Sequence, residues 1–236
     1  MSSTALITGA SRGIGFAIAE HLAGNGWQVI GLARRRPTDF PGEFLECDLL
    51  DATATAHALT LLSQRHRIEA VVNNAGASIP QAFGELDLHT LQRVLDLNLR
   101  SAIQVTQACL PSLIECGQGR IVSICSRAIF GAMDRTAYSA AKSALIGCTR
   151  TWALELASHG ITANAVAPGA IDTELLRSTK PVGSGAEQRI LSSIPLGRVG
   201  QPQEVAAAVA FFLSKEAGFI TGQVLCIDGG SSLGGR

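Results

Sequence analysis

Short runs of Val, Ile, Leu and Ala alternate along this chain with longer segments of helical period, the pattern of β-α-β units around a parallel sheet. The runs predict strands at 5–8, 28–32, 44–47, 70–73, 120–124, 162–166 and 224–227. Helical spacing predicts helices at 14–24, 52–66, 138–158 and 202–214, with a long helical stretch over 88–116. Pro202 falls in a first turn, where proline is tolerated, and Glu204 there suits the helix dipole. Two stretches break the rhythm. ARRRPTDFPGEFLECD, from Ala33 to Asp48, leaves no room for a full helix between the second and third strands, so an irregular link is expected. Residues 174–193, with Pro181, Gly183, Ser184 and Gly185, have no clear period and read as a mobile loop or lid. The expected fold is α/β: a Rossmann-type, doubly wound parallel sheet of about seven strands in three α/β/α layers. Residues 1–236 read as one domain.

Composition narrows the partners. With 19 basic and 19 acidic residues, no global field recruits nucleic acid or an anionic membrane, which leaves small molecules. The N-terminal MSSTALITGASRG reaches a polar turn after one apolar run too short for a signal peptide or a membrane span, so a cytoplasmic protein is expected. The six cysteines form no C-x-x-C pair and read as reduced, small hydrophobes. The five histidines show no ligand spacing, and no metal is expected.

The first strand runs into Thr8-Gly9-Ala10-Ser11-Arg12-Gly13-Ile14-Gly15 and then a helix. Glycines in such a turn let backbone amides approach a pyrophosphate at the positive helix N-terminus. The spacing differs from G-x-G-x-x-G, and a turn tightened for packing alone is the competing reading. An acid ending the second strand would bond the ribose of NAD, whereas arginine can neutralise the extra phosphate of NADP. Here Ala33-Arg34-Arg35-Arg36 follows, without an acid. Arg34, with Arg12 in the glycine turn, points to NADP(H), NAD(H) remaining possible. Arg35 and Arg36 read as a solvated basic loop.

Tyr138 and Lys142 lie four apart on a helical segment, so both project from one face. A free phenol titrates near pH ~10, too high for a base at neutral pH. A neighbouring ammonium and the positive charge of an oxidised nicotinamide would both favour phenolate. Tyr138 is therefore the candidate acid/base.

Eight ordered motifs resemble the short-chain dehydrogenase/reductase family in its compact branch: TGASRGIG at 8–15, CDL at 47–49, NNAG at 73–76, Asn98 in LDLNLRSA, Ser126 in RIVSICS, YSAAK at 138–142, PGAIDT at 168–173 and ITGQVLCIDGG at 220–230. The resemblance spans essentially the whole chain and implies an NAD(P)-dependent oxidoreductase acting on CH-OH groups. It implies that Gly9, Ser11, Arg12, Gly13, Ile14, Gly15, Arg34, Asp48, Leu49, Asn74, Ala75 and Gly76 line the adenosine and pyrophosphate, Asp48 at the adenine. Pro168, Gly169, Ile171 and Thr173 would hold the nicotinamide carboxamide. Lys142 would bond the nicotinamide ribose beside Tyr138, Ser126 would hold the substrate oxygen, and Asn98 would anchor a water passing protons between Lys142 and solvent. Each residue has a structural alternative: Asn74 and Gly76 could stabilise a strand-end turn, Thr173 could cap a helix, and Asn98 could occupy a helix kink.

The family also contains 3-oxoacyl carrier-protein reductases, in which arginines near the site help dock the acidic carrier. Gly117 and His159 occupy the positions where two such arginines align. Ile129, Phe130, Met133, Leu175 and Leu176 give an apolar substrate wall, with a substrate loop at about 174–196. The expectation is a carbonyl reductase or alcohol dehydrogenase for a small to medium apolar substrate. A 3-oxoacyl carrier-protein reductase is the alternative, and an NADP-binding regulator the non-enzyme one. Family habit and the apolar run around 211–227 suggest a homotetramer.

Overall fold

The computed structural model describes residues 3–233. Seven strands, β1 (Thr4–Thr8), β2 (Gln28–Ala33), β3 (Glu43–Glu46), β4 (Ala70–Asn73), β5 (Arg120–Ile124), β6 (Thr162–Pro168) and β7 (Val224–Ile227), form one parallel sheet. Their order is β3-β2-β1-β4-β5-β6-β7, with registers such as Ile7↔Val72 and Ser123↔Ala165. β1, β4, β5 and β6 are buried along their whole length, which is why they read as continuous apolar runs rather than alternating ones.

Helices α1 (Gly13–Gly24) and α8 (Pro202–Leu213) pack against each other and one face of the sheet around Ile18, Leu22, Val205 and Val209. α2 (Ala52–Arg65), α4 (Ser101–Cys116) and α5 (Thr136–Glu155) cover the other through Leu59, Leu62, Val105, Leu113 and Ala153. The architecture is the doubly wound α/β sandwich. Asp51 caps α2, accepting hydrogen bonds from the amides of Thr53 and Ala54 at 2.9 Å each. Pro202 is in the first turn of α8, where the Glu204 carboxylate accepts the Gln201 amide at 2.7 Å. No helix among the described residues is long and apolar enough to cross a membrane, and none of their His, Cys, Asp and Glu side chains cluster as a metal site. All six cysteines are free thiols.

Three expectations need correction. Residues 88–116 are not one helix: α3 (Leu88–Leu95) passes through a π turn, Asp96–Arg100, into α4. α5 begins at Thr136, two residues before Tyr138. The stretch expected to be an irregular, mobile loop holds two short helices, α6 (Glu174–Thr179) and α7 (Gly185–Leu191). Thr173 caps α6, accepting from the Leu176 amide at 3.3 Å, and Ser184 caps α7, accepting from Glu187 at 3.2 Å. Arg177 ties them together, holding Asp172 at 2.6 and 2.8 Å with one edge and Glu187 with the other. Helices of six and seven residues span too few turns to show a period in sequence.

The link between β2 and β3 is irregular, as its length required, and is anchored by packing. Phe40 inserts between Phe16 and Phe44, with ring centroids at 6.3 and 4.9 Å. It also lies over Gly31, where a Cβ would come within 2.6 Å of the Phe40 ring and 2.5 Å of Phe44.

Candidate active site

The strand order reverses direction between β1 and β4, which opens a crevice at their carboxyl ends. Thr8, ending β1, locks the two turns there: its hydroxyl accepts the amides of Asn74 and Ala75 at 3.0 Å each. The Asn74 side chain donates to the carbonyls of Thr8 and Gly9 at 3.0 and 3.1 Å, so it braces the turn. The glycines meet steric need. A Cβ on Gly9 would lie 2.8 Å from the Ala75 Cα, and one on Gly15 2.4 Å from the Asn74 amide nitrogen. Gly13 takes φ +57° and faces the Thr173 methyl, at 3.4 Å from where its Cβ would be. The glycine turn and the 168–173 segment thus form opposite lips of one groove.

The N-terminus of α1 has no side-chain cap and no acid in its first turn, leaving its amides for an anion. That cradle fits a dinucleotide pyrophosphate. Ser11 and Ile14 are half-buried in the turn. Arg12 is exposed and paired with Glu174 at 3.2 Å across the groove, while Arg34 is exposed just beyond β2. Asp48 is exposed with one oxygen accepting the Leu50 amide at 3.0 Å, and Leu49 beside it is buried. Pro168 ends β6, the Gly169 amide donates to the Ile227 carbonyl at 3.0 Å, and Ile171 is buried, bridging to Gly200.

Further along the crevice, α5 presents Tyr138 and Lys142 one turn apart, the ammonium 5.7 Å from the phenol ring centre. Lys142 is 2 % exposed and its Nζ donates to the Ile124 carbonyl at 2.8 Å. Burial lowers its pKa to about 8. Tyr138 shares a side-chain hydrogen bond with Ser126, which itself accepts the Ala128 amide at 3.1 Å. Burial pushes the phenol's pKa up, and the bond to Ser126 and the charge of Arg135 only partly oppose it. Asn98, fully buried in the π turn, donates to the carbonyls of Ala77 and Val94 at 2.9 Å each, and its Oδ1 has no partner. Gly76 joins these groups: a Cβ there would stand 2.4 Å from Asn98 Oδ1 and 3.0 Å from Lys142 Nζ.

Sequence reading missed the opposite wall. Asp134, at φ +57°, accepts the Gln81 amide through its carbonyl at 2.9 Å. Arg135 donates from Nη1 to the Ser78 hydroxyl at 2.5 Å. Arg135 is the N-cap of α5, outside the helical period that picks out Tyr138 and Lys142, so no local spacing marked it.

Comparison with known proteins decides the family. A family model described as Enoyl-(Acyl carrier protein) reductase matches residues 9–232. The chain is a short-chain dehydrogenase/reductase. This short-chain dehydrogenase/reductase is 37% identical over 243 residues to the 3-oxoacyl-[acyl-carrier-protein] reductase FabG of Vibrio cholerae, covering 96% of each chain. It superposes on the aldohexose dehydrogenase AldT of Thermoplasma acidophilum with TM-score 0.94 and 33% identity, covering 100% and 96% of the two chains. It also superposes, at TM-score 0.92 and 32% identity over 98% and 97%, on a Beutenbergia cavernae protein described as a candidate NAD(P)-dependent gluconate 5-dehydrogenase with bound NADP. As a short-chain dehydrogenase/reductase, the protein is an oxidoreductase.

Proposed function

We propose that the protein is an NADP-preferring oxidoreductase that moves a hydride between the nicotinamide and a carbonyl or secondary alcohol on a small to medium substrate with an apolar body. The observation that carries this reading is the convergence of Ser126, Tyr138, Lys142 and Asn98 beside an uncapped glycine turn. The cofactor, held by the glycine turn, Arg12, Arg34, Asp48 to Leu49, Asn74 to Gly76 and Pro168 to Thr173, supplies or takes up the hydride. Tyr138 donates its hydroxyl proton to the substrate oxygen as charge develops there, and Ser126 holds that oxygen with a second donor. Lys142, protonated at neutral pH, presents its ammonium to the ribose and steadies the phenolate left on Tyr138. The unpartnered Oδ1 of Asn98 supports its role with a proton-carrying water beside Lys142.

NADP preference rests on Arg34 and Arg12, the latter having to leave Glu174 to reach a phosphate. A spectrophotometric panel of ketones and alcohols with NADPH and NADH in parallel tests the reading. NADPH should give the higher kcat/KM, and equal use of NADH would refute the role given to the two arginines. Phe130, Met133 and Leu175 are exposed apolar side chains that support an apolar substrate wall, with α6 and α7 as the substrate loop.

The second reading, a 3-oxoacyl carrier-protein reductase, is favoured by the names of relatives 36–37% identical. Against it, Gly117 adopts φ +67° as the C-cap of α4, a conformation strained for arginine, and His159 stands at the other docking position. Turnover on an acyl-carrier substrate far above that on simple ketones would favour this reading. A cytoplasmic homotetramer forming from residues 1–236 as one domain completes the proposal.

A further inference from the structure

Arg135 lies beside the catalytic group of Tyr138 and Ser126. It is the N-cap of α5, half-buried, and three residues before Tyr138. Its only bonded partner among the described residues is the neutral hydroxyl of Ser78, at 2.5 Å, which uses one of five guanidinium N–H donors. No carboxylate among the described residues lies within ion-pair distance of it. Ser139, four residues on and on the same flank of α5, keeps its hydroxyl buried without a partner. The charge of Arg135 reaches the Tyr138 phenol, whose pKa it lowers.

A half-buried cation left without a counter-ion is costly unless an anion completes it. The donors left free on Arg135 form a planar fork that suits a carboxylate. We propose that Arg135 is a specificity-determining residue and that the substrate is an oxo acid, or the matching hydroxy acid, whose carboxylate binds Arg135 while its carbonyl meets Tyr138 and Ser126. The proximity of the two side chains puts the carboxylate a few bonds from the reacting carbon. Phe130 and Met133, exposed on the loop just before Arg135, receive the apolar remainder of the molecule. A carrier-bound thioester has a neutral carbonyl at that place and would leave Arg135 unpaired. The inference rests on the carbonyl-reductase reading above and narrows it.

The test compares 2-oxobutanoate and 3-oxobutanoate with their ethyl esters in NADPH-dependent turnover. It adds calorimetric binding of the two acids to the full-length protein, which reads carboxylate recognition even if no probe is turned over. For the wild type, kcat/KM should favour at least one acid over its ester by tenfold or more, carried mainly by KM. R135Q should collapse the acid/ester ratio at least tenfold and abolish the acid's calorimetric binding, while R135K restores part of both. An unchanged ratio in R135Q, or no acid binding to the wild type, would overturn the proposal. If simple ketones are reduced but neither acid binds, the carboxylate assignment alone falls. If an acid binds but no carbonyl compound is turned over, the reductase reading falls instead. Far-ultraviolet circular dichroism of R135Q and R135K separates loss of recognition from loss of fold.

Discussion

Lys142 is a buried cation with one carbonyl, that of Ile124, as its bonded protein partner. Its folded pKa, about 8, lies below the ordinary lysine value of 10.5, so between those two pH values the unfolded chain binds the extra proton and stability rises with pH. Below about pH 8 both states are protonated and the burial cost is fully present. A depression of this size corresponds to about 3 kcal/mol, against ~1 kcal/mol for the bond to Ile124 that would be lost. Lys142→Met should therefore raise stability at pH 7 by roughly 2 kcal/mol in urea melts while abolishing turnover. The gain should shrink as the pH approaches 10.5. Tyr138→Phe should keep fold and NADPH affinity, followed by cofactor fluorescence, and reduce kcat by at least ~100-fold, the span of general acid catalysis. Residual turnover near that of the wild type would remove Tyr138 from the mechanism. The Tyr138–Lys142 pair was legible because spacing four on a helix is a local fact. Arg135 was not, because its partner Ser78 lies 57 residues away.

At the level of elements, strands were read to within one or two residues because burial on both faces leaves an uninterrupted apolar run. β3, a partly exposed edge, was offset by one residue, and β6 continues two residues further than its apolar run. The link between β2 and β3 shows how a non-helical stretch is held: Phe40 fills the space over Gly31. Phe40→Ala should cost about 3–5 kcal/mol, the range for large-to-small core changes, and weaken NADPH binding through the displaced Arg34. Urea melts and cofactor titration of the same variant check both parts. The helices α6 and α7 were hidden by their brevity, and what stabilises them, Arg177 between Asp172 and Glu187, joins residues from different elements.

For the molecule as a whole, β7 is the outer strand of the sheet, and Phe219 is fully exposed near it, with Leu225 and Phe211 partly so. Such apolar surface at a sheet edge is suited to burial against another copy. Light scattering after size exclusion should give a tetramer for the wild type, and the double variant Phe219→Asp, Leu225→Lys a smaller species. A wild-type monomer would remove the proposed assembly.

TGASRGIG, NNAG and YSAAK each belong to one contiguous segment, so the sequence alone determined the order of strands and helices, the glycine turn and the placement of Tyr138 with Lys142. Periodicity and turn chemistry act between near neighbours, and that is the range over which sequence is readable. Only the tertiary structure decided that Gly76 leaves room beside Asn98 and Lys142, that Arg12 meets Glu174 across the groove, and that Arg135 meets Ser78 without a counter-ion. These depend on chain segments brought together by burial of the sheet, and burial is a property of the whole fold rather than of any stretch within it.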